Sequence, residues 1–194
     1  MIRRSRRIMV LSAALALGGC GTIPLASLPA LSRIDIATTD PSVLRVAVRL
    51  PDAVKPRPGG VTMDAVTRES GAADRTATFL LIETRDPGDL AGLPLDVPPG
   101  VSTYAYRLSA DDLARFDALR RSALQSHAEG RTVSLGFGIA TKEFCRVAAL
   151  PPGPLPATSY LMTSETGRYV ILTEDSDLRS LAKVKRELES LEPC

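Results

Sequence analysis

Alternating apolar and polar residues predict β-strands along most of the chain. In residues 43–50, apolar residues at even-numbered positions alternate with a set that includes Arg45 and Arg49, as a half-buried strand requires. A later segment contains the uninterrupted apolar run 79–82, which predicts a strand buried on both faces. The predicted strands are 43–50, 61–67, 76–85, 101–108, 131–140, 159–163 and 168–173.

Helical spacing of apolar residues predicts two helices, at about 109–129 and 175–191. Ser109 and Asp112 give the first helix an S-x-x-D capping pattern, and Gly130 suits its carboxyl end. Apolar residues recur every three or four positions in both segments. They are Leu113, Phe116, Leu119, Ala123 and Leu124 in the first, and Leu178, Leu181, Val184, Leu188 and Leu191 in the second.

The order of these elements predicts the fold class. Most consecutive strands are joined by segments too short for a crossover helix, which favours antiparallel pairing. We therefore expect an α+β domain with a mainly antiparallel sheet of about six to seven strands, backed by the two helices. Proline and glycine predict loops or turns at 51–60, 86–100 and 150–157.

The strand predicted at 131–140 has two unlike faces. One face is apolar and the other carries small residues, which allow a close approach of another element. We expect a helix of the same domain to lie against the small face, and another chain is the alternative. The small residues are Ser134, Gly136, Gly138 and Ala140, opposite Val133, Leu135, Phe137 and Ile139.

The first twenty residues, MIRRSRRIMVLSAALALGGC, have the parts of a secretory signal. Four arginines precede a ten-residue apolar run, 8–17, and small residues lie before Cys20. Ten helical residues cover about 15 Å, roughly half of a hydrocarbon core of about 30 Å. The run therefore predicts an export signal rather than a membrane-spanning helix.

The end of this signal, Leu17-Gly18-Gly19-Cys20, resembles the lipobox of bacterial lipoproteins. The resemblance covers only the first twenty residues and implies that 1–19 are a signal peptide. It implies that Cys20 becomes the first mature residue, with diacylglycerol on its thiol and usually an acyl chain such as palmitate on its amino group. An ordinary signal peptide with a chance cysteine is the alternative.

The same resemblance implies where in the cell the protein is located. Two or more acyl chains anchor a protein stably in a membrane. In some bacteria Asp at the position after the cysteine retains a lipoprotein in the inner membrane, whereas Gly21 and Thr22 stand here. We therefore expect the lipid-anchored protein at the outer membrane, facing the periplasm.

The chain after the signal is expected to have two parts. Residues 20–40 are the lipidated amino terminus and a tether, and 41–194 form a single periplasmic α+β domain. The apolar residues of the tether can also pack on the domain or lie near the lipid surface. These residues are Ile23, Leu25, Leu28, Leu31 and Ile34.

The charge balance argues against a nucleic-acid partner. The chain has 24 basic and 22 acidic side chains, but four arginines lie within residues 1–19. Without that segment acidic residues outnumber basic ones by two. The chain also has no tryptophan, so it lacks the basic surface and aromatic platforms that nucleic-acid binding commonly needs.

Two cysteines remain if Cys20 carries lipid. We expect Cys145 and Cys194 to form a disulfide, because such bonds persist in the periplasm, and to hold the end of the second helix against the sheet. The alternative is two independent thiols. Neither cysteine has CxxC spacing, and a single histidine with scattered acids predicts no metal site and no cofactor.

No motif in the chain predicts catalysis. His127, the one histidine, lies near the end of the first predicted helix, away from any nucleophile motif. Arg45 and Arg49 share a strand face and give a small cationic patch for an anionic headgroup or glycan. A solvated strand face is the simpler interpretation of these arginines.

The expected function is that of a membrane-anchored envelope lipoprotein with a non-enzymatic binding or accessory domain and a candidate envelope protein partner. Its binding surface is expected at the loops 86–100 and 150–158 or at a sheet edge. A small envelope hydrolase is an alternative that needs a cleft with convergent titratable groups. A lipid-handling domain is another, and needs an elongated apolar cavity between sheet and helices.

Overall fold

The α+β fold expected from the order of elements is confirmed in the computed structural model, which describes residues 23–35, 38–94, 96–181, 184, 188 and 190–194. Its helices are α1 (Leu28–Leu31), α2 (Pro87–Leu90) and α3 (Ala110–Ala128), with single 3-10 turns at Leu25–Ser27 and Leu178–Ser180. Its strands are β1 (Arg45–Pro51), β2 (Val54–Pro56), β3 (Val61–Glu69), β4 (Arg75–Thr84), β5 (Val101–Leu108), β6 (Val133–Thr141), β7 (Phe144–Arg146), β8 (Pro156–Met162) and β9 (Val170–Asp177).

Seven strands form one antiparallel sheet in the order β6-β3-β4-β5-β1-β8-β9. The remaining strands, β2 and β7, pair with each other, and β2 lies within the segment 51–60 that was expected to be a loop. In the large sheet β1 pairs with β5 on one side and with β8 on the other. Its side chains at even-numbered positions are almost completely buried, which accounts for the strict alternation in its sequence.

The main hydrophobic core lies on one face of the sheet, called here the core face. Val46 of β1 stands opposite Tyr106 of β5 on this face. Phe79 of β4 meets Phe116 of α3 edge to face, with ring centroids 5.3 Å apart. Such contacts between aromatic rings stabilise the fold beyond the effect of burying their apolar area. Through this contact α3 covers the core over β4.

The opposite face, called here the outer face, carries a second and smaller apolar cluster. Ala47 of β1 and Ala105 of β5 lie at its centre, next to the buried rings of Tyr160 and Tyr169. Leu93, from the segment that follows α2, packs against these residues. The segment between β4 and β5 therefore covers part of the outer face.

The run 79–82 is not buried on both faces, and that expectation is wrong. Phe79 and Leu81 are 1% exposed, whereas Leu80 and Ile82 are each 38% exposed. The side chains of β4 alternate because the core covers one face of this strand and its other face stays partly open to solvent. Four apolar residues in succession therefore leave two apolar side chains on the outer face.

The predicted start of the first helix is confirmed. The Ser109 hydroxyl accepts a hydrogen bond from the Asp112 amide, as an N-cap does. The Asp112 carboxylate accepts from the Leu80 amide at 2.5 Å, and the Ser109 amide donates to the Leu80 carbonyl. The first turn of α3 thus continues the pairing of β4 where β5 ends.

The small face of β6 is not covered by a helix, so that expectation is wrong. A side-chain atom added at Gly138 would meet nothing within 4 Å, and one at Gly136 would meet only the Arg68 guanidinium at 3.6 Å. The apolar side chains of β6 pack on the main core together with Phe116 of α3. The helix therefore lies against the apolar face of β6.

The second predicted helix starts too early. Residues 175–177 belong to β9, because Asp177 pairs with Pro156 of β8, and a 3-10 turn follows at Leu178–Ser180. Further along, Val184 and Leu188 are helical, and both pack on the main core. The rest of the expected helix lies outside the described residues.

The disulfide expected between Cys145 and Cys194 is present in the structure, with the sulfur atoms 2.10 Å apart. The Arg146 amide donates to the Glu192 carbonyl, and the Cys194 amide donates to the Arg146 carbonyl. The last residues therefore lie against β7. The bridge attaches the end of the chain to the two-stranded sheet rather than to the large sheet.

The segment before β1 is attached to the domain at several points. Ser27 is buried, Ile34 packs against the main core, and the buried Thr39 hydroxyl donates to the Glu165 carboxylate at 2.9 Å. In contrast, Ile23 and Leu25 are exposed, Leu25 by 82%. Cys20 and the lipobox lie outside the described residues, and among those described no helix is long and apolar enough to cross a membrane.

Candidate functional site

Three arginines lie on the outer face of the sheet. Arg45 and Arg49 point to this face because they occupy alternate positions of β1. Arg107 of β5 stands directly opposite Arg45 in the antiparallel register. The two arginines singled out in the sequence therefore share a surface with a third, which comes from a distant part of the chain.

A buried carboxylate neutralises one of these arginines. Asp89 of α2 accepts from Arg45 Nε at 2.5 Å and from the Thr84 hydroxyl at 2.7 Å. Arg107 Nη1 is 3.7 Å from the same carboxylate, and the Tyr169 hydroxyl donates to the Asp89 carbonyl. This network fastens α2 to the sheet and pairs the Arg45 guanidinium with a carboxylate of the protein itself.

The electrostatics of Asp89 follow from these contacts. Burial by itself would raise the pKa of the Asp89 carboxyl, but hydrogen bonds from Thr84 and Arg45 and the charges of Arg45 and Arg107 outweigh it and lower the pKa. Burial raises the pKa of the nearby Tyr169 hydroxyl to about 12. At neutral pH the aspartate is therefore charged and the tyrosine is a neutral hydrogen-bond donor.

Arg49 has a different environment from Arg45. Its guanidinium carbon lies 5.4 Å from the centre of the Tyr160 ring, in a cation–π contact. Its Nε and Nη2 atoms are buried and have no hydrogen-bond partner. None of the ion pairs formed by the described residues includes Arg49.

Two threonines flank Arg49, one on each neighbouring strand. Thr103 of β5 and Thr158 of β8 both stand directly opposite it in the antiparallel registers. The Thr158 hydroxyl is engaged, since it donates to the Asp175 carboxylate at 3.3 Å. The Thr103 hydroxyl oxygen is buried and has no partner, so adjacent strands carry two unsatisfied polar groups.

An open cleft of about 430 Å³ lies beside Thr103. It forms because β4 ends at Thr84, opposite Ala105, while β5 begins four residues earlier at Val101. We call it the Thr103 cleft. Its lining residues are Glu83, Thr84, Arg85, Leu90, Val97, Val101, Ser102, Thr103, Tyr104 and Ala105.

The walls of the Thr103 cleft combine apolar and polar groups. Leu90 and Val97 come from the segment between β4 and β5, and each exposes more than a third of its surface. Glu83 is paired with Arg85 at 3.3 Å. The loop 86–100, expected from sequence to take part in binding, therefore borders the cleft.

A second cavity, of about 150 Å³, lies between α3 and the sheet. Its lining mixes the apolar side chains of Leu119 and Val133 with polar ones such as Arg75 and Ser126. It is small and partly polar, which is unlike the elongated apolar cavity that a lipid-handling domain of this architecture needs.

The described residues hold no group of three or more His, Cys, Asp or Glu side chains placed to bind a metal ion. His127 is exposed near the carboxyl end of α3. The Ser102 hydroxyl donates to the Asp52 carboxylate at 2.5 Å, which gives this serine an acid but not a histidine base.

The second predicted binding loop, 150–158, is held to the rest of the domain by a buried side chain and by hydrogen bonds. Leu155 is fully buried and its amide donates to Asp177, while the Pro151 carbonyl accepts from Arg179. Its last residue, Thr158, flanks Arg49. This loop therefore reaches the outer-face site through one side chain.

Sequence reasoning found Arg45 and Arg49 but missed the residues that distinguish them. Asp89 and Thr103 lie 40 or more residues away along the chain from the arginines they face. The alternation of β5 could have placed Thr103 on one face, but only the register of β1 with β5 brings it opposite Arg49. Comparison with family models, curated proteins and solved structures found no match to this chain.

Proposed function

We propose that this protein is a lipoprotein of the bacterial envelope, anchored by acyl chains on Cys20, whose periplasmic α+β domain is a binding or accessory module. Residues 1–19 are its signal peptide and 20–40 its lipidated amino terminus and tether. It resides at the outer membrane and faces the periplasm. The lipobox resemblance of Leu17-Gly18-Gly19-Cys20 supports the anchor.

Exposed apolar side chains near Cys20 also support the anchor. Ile23 comes three residues after Cys20, a distance that the chain spans in at most about 10 Å. Ile23, Leu25 and Leu28 are each exposed by more than 40%. Apolar side chains so close to an acyl anchor suit the interfacial region of a bilayer, where they add to membrane affinity.

The Thr103 cleft is the observation that carries the binding role. It is an open cleft lined by the partly exposed apolar side chains of Leu90 and Val97 and by Thr103, whose hydroxyl oxygen is buried and has no partner. Buried groups of this kind are normally satisfied, so an unsatisfied hydroxyl in the wall of an open cleft supports a binding role. A membrane tether raises the effective concentration of the domain near envelope components, so a modest interface suffices.

The anchor is tested by Cys20→Ser, with Cys194→Ser as the matched control. We expect Cys20→Ser to accumulate as precursor that retains residues 1–19 and carries no acyl chain, measured by intact mass spectrometry of the membrane fraction. The control should be processed and acylated. A processed, membrane-anchored Cys20→Ser protein would overturn the lipoprotein proposal.

The binding role is tested by placing a photo-crosslinking residue at Val97, on the wall of the cleft, in the native envelope. Val147, which is exposed by 59% and does not line the cleft, is the matched control position. We expect a specific crosslinked species from position 97 and none from position 147. Equal labelling from both positions, or none from either, would overturn the cleft as the binding surface.

A further inference from the structure

We infer that the free edge of β6 is a dimerisation surface, on which a second copy of this chain adds its own β6 in antiparallel orientation. Phe137 lies at the centre of the pairing, so that Gly136 of each copy stands opposite Gly138 of the other. The two seven-stranded sheets then form one continuous sheet about a two-fold axis. This inference goes beyond the proposed function and depends on neither the anchor nor the Thr103 cleft.

The edge of β6 lacks the usual protection of an edge strand. β6 is the last strand at one end of the large sheet, and within the part of the chain that the structure describes it pairs with β3 alone. Its nine residues, VSLGFGIAT, include no charged residue and no proline. Proteins normally protect sheet edges with charges, prolines, bulges or covering segments, because an open edge pairs readily with another strand. A long edge without these features therefore indicates a surface that has a partner.

The opposite edge of the same sheet is protected. β9 carries Glu174, Asp175 and Asp177, and the register of its pairing with β8 shifts at two places. The 3-10 turn Leu25–Ser27 also contacts β9. The domain therefore hinders strand addition at the β9 edge and leaves the β6 edge open to it.

Hydrogen bonds at both ends of the pairing between β3 and β6 show which backbone groups point to the open edge. The Lys142 amide donates to the Gly60 carbonyl, and the Ser70 amide donates to the Thr132 carbonyl. Hydrogen-bonded and non-hydrogen-bonded pairs alternate along an antiparallel ladder, so the even-numbered residues of β6 bond to β3. Its odd-numbered residues direct their N–H and C=O groups to the open edge.

The sequence of β6 is complementary to itself in the register centred on Phe137. In this register odd-numbered residues stand opposite odd-numbered ones, so the free backbone groups of the two copies meet. Leu135 faces Ile139 of the second copy on the core face, and Ser134 faces Ala140 on the outer face. The apolar side chains on the core face are half-buried and already pack on the main core, so covering what remains exposed is favourable.

Charges just beyond the strand ends fit the same register. Arg131 precedes β6 by two residues and Glu143 follows it by two, so each Arg131 faces Glu143 of the second copy. Glu143 is exposed and belongs to none of the ion pairs formed by the described residues, whereas Arg131 pairs with Glu69 and still exposes 48% of its side chain. A register shifted by two residues brings Arg131 to Thr141 or Cys145 instead, and loses the opposite charge.

Pairs of cysteine variants test the dimer and its register. Gly136→Cys and Gly138→Cys are expressed together as two differently tagged full-length chains. In the proposed dimer these residues form a non-hydrogen-bonded pair with Cα atoms about 4.5 Å apart, which a disulfide can join. Both substitutions fit the folded chain, because an added Cβ at Gly138 meets nothing within 4 Å and one at Gly136 meets only the Arg68 guanidinium, at 3.6 Å.

A second matched pair, Ser134→Cys with Ala140→Cys, tests the same register, and Ser134→Cys with Gly136→Cys is the control. The control residues are four positions out of register, about 13 Å along the strand. After mild oxidation of the native envelope, non-reducing gels should show a linked species with both tags from each matched pair. The control pair should give at least tenfold less.

Added charge tests the dimer without any crosslink. Gly136→Lys/Gly138→Lys places lysines directly opposite each other in the dimer, which destabilises a strand pair. Thr76→Lys/Leu80→Lys adds the same charge at exposed positions of β4, away from the edge. Light scattering of the full chain in detergent, with the detergent mass subtracted, should give two chains for the wild type and the β4 variant and one chain for the β6 variant. Unfolding curves establish that both variants are folded.

Several results would overturn the inference. They are the absence of a linked species from both matched cysteine pairs, an equal yield from the control pair, and a folded β6 lysine variant that is as dimeric as the wild type. Linkage of the matched cysteines to a different protein in place of the second copy would also overturn it. These measurements require neither acylation of Cys20 nor a crosslink at Val97, so their failure and the failure of the proposed function are distinguishable.

Discussion

Arg45 and Arg49 show how strongly the energetics of a side chain depend on one neighbour. The two residues have the same chemistry and point to the same face of β1. Asp89 satisfies the first and contacts Thr84 and Arg107 as well. A paired buried charge of this kind tolerates the loss of either partner poorly, because the remaining charge is left in a medium of low polarity.

Asp89→Asn should therefore lower the free energy of unfolding by about 3 kcal/mol at pH 7, measured by urea denaturation. The control is Asp74→Asn, which removes a pair with Arg68 whose side chains are both more than half exposed. Such surface pairs contribute about 1 kcal/mol or less. Equal losses for the two variants would contradict a structural role for the Asp89 network.

The contribution of Asp89 to the free energy of unfolding should also depend on pH. The pKa of Asp89 is lowered in the folded protein, so between this value and the unfolded value of about 3.9 the unfolded chain binds more protons. The stability that Asp89 provides is therefore complete above about pH 5 and is lost as the pH falls through the lowered pKa. The difference in unfolding free energy between wild type and Asp89→Asn should shrink below pH 4.

The first turn of α3 joins a helix to a sheet through one side chain. Asp112 is buried and accepts a hydrogen bond from the Leu80 amide of β4, and it also pairs with Arg115. The preceding residue, Asp111, belongs to the same turn but is exposed. Comparing variants of Asp111 and Asp112 therefore distinguishes the general effect of a negative charge at the start of a helix from the specific contact between Asp112 and the Leu80 amide.

Asp112→Ala should lower the free energy of unfolding by about 2 kcal/mol, because it leaves the Leu80 amide without the acceptor that the buried Asp112 carboxylate provides. Asp111→Ala should cost only about 0.5 kcal/mol, the size of a charge effect on the helix dipole. Hydrogen exchange at the Leu80 amide provides a second measurement, and it should accelerate in Asp112→Ala alone. Equal destabilisation would show that the contact to β4 is unimportant.

Local sequence patterns predicted correctly where strands and helices form, but they did not predict which residues cover each element. Alternation in 43–50 and the S-x-x-D pattern at Ser109 depend on neighbouring residues, and both correspond to the observed β1 and α3. The exposure of Leu80 and Ile82 depends instead on what covers β4. That is decided by residues far away in the sequence, so no local pattern could give it.

The outer-face site illustrates the same limit. The sequence placed Arg45 and Arg49 on one face, but only the folded chain brings Asp89 to the first and Thr103 to the second. The predicted start of the second helix was wrong for a similar reason. Residues 175–177 alternate too little to indicate a strand, and their pairing with β8 settles their conformation.

The disulfide links the end of the chain to the middle. Cys145, within β7, and Cys194 are 49 residues apart, and the last residues also form backbone hydrogen bonds with Arg146 of β7. Closing a loop of this length restricts the unfolded chain, which stabilises the folded one by about 4 kcal/mol in the chain-entropy model.

The variant Cys145→Ala/Cys194→Ala should therefore unfold at a markedly lower urea concentration than the wild type. Reducing the wild-type protein with dithiothreitol should lower its stability to the level of the double variant, and should leave the double variant unchanged. An unaltered midpoint after removal of both cysteines would contradict a stabilising role for the bridge.

The position of β1 in the sheet has a consequence for how the chain is made. It is the first strand in the part of the chain that the structure describes, yet Arg45 pairs with Arg107 of β5 and with Met162 of β8. A growing polypeptide therefore presents the apolar side of β1 long before both neighbours have been synthesised. Such delayed, non-local pairing slows folding and favours aggregation, so a chain that stops before β8 should need a chaperone to remain dispersed.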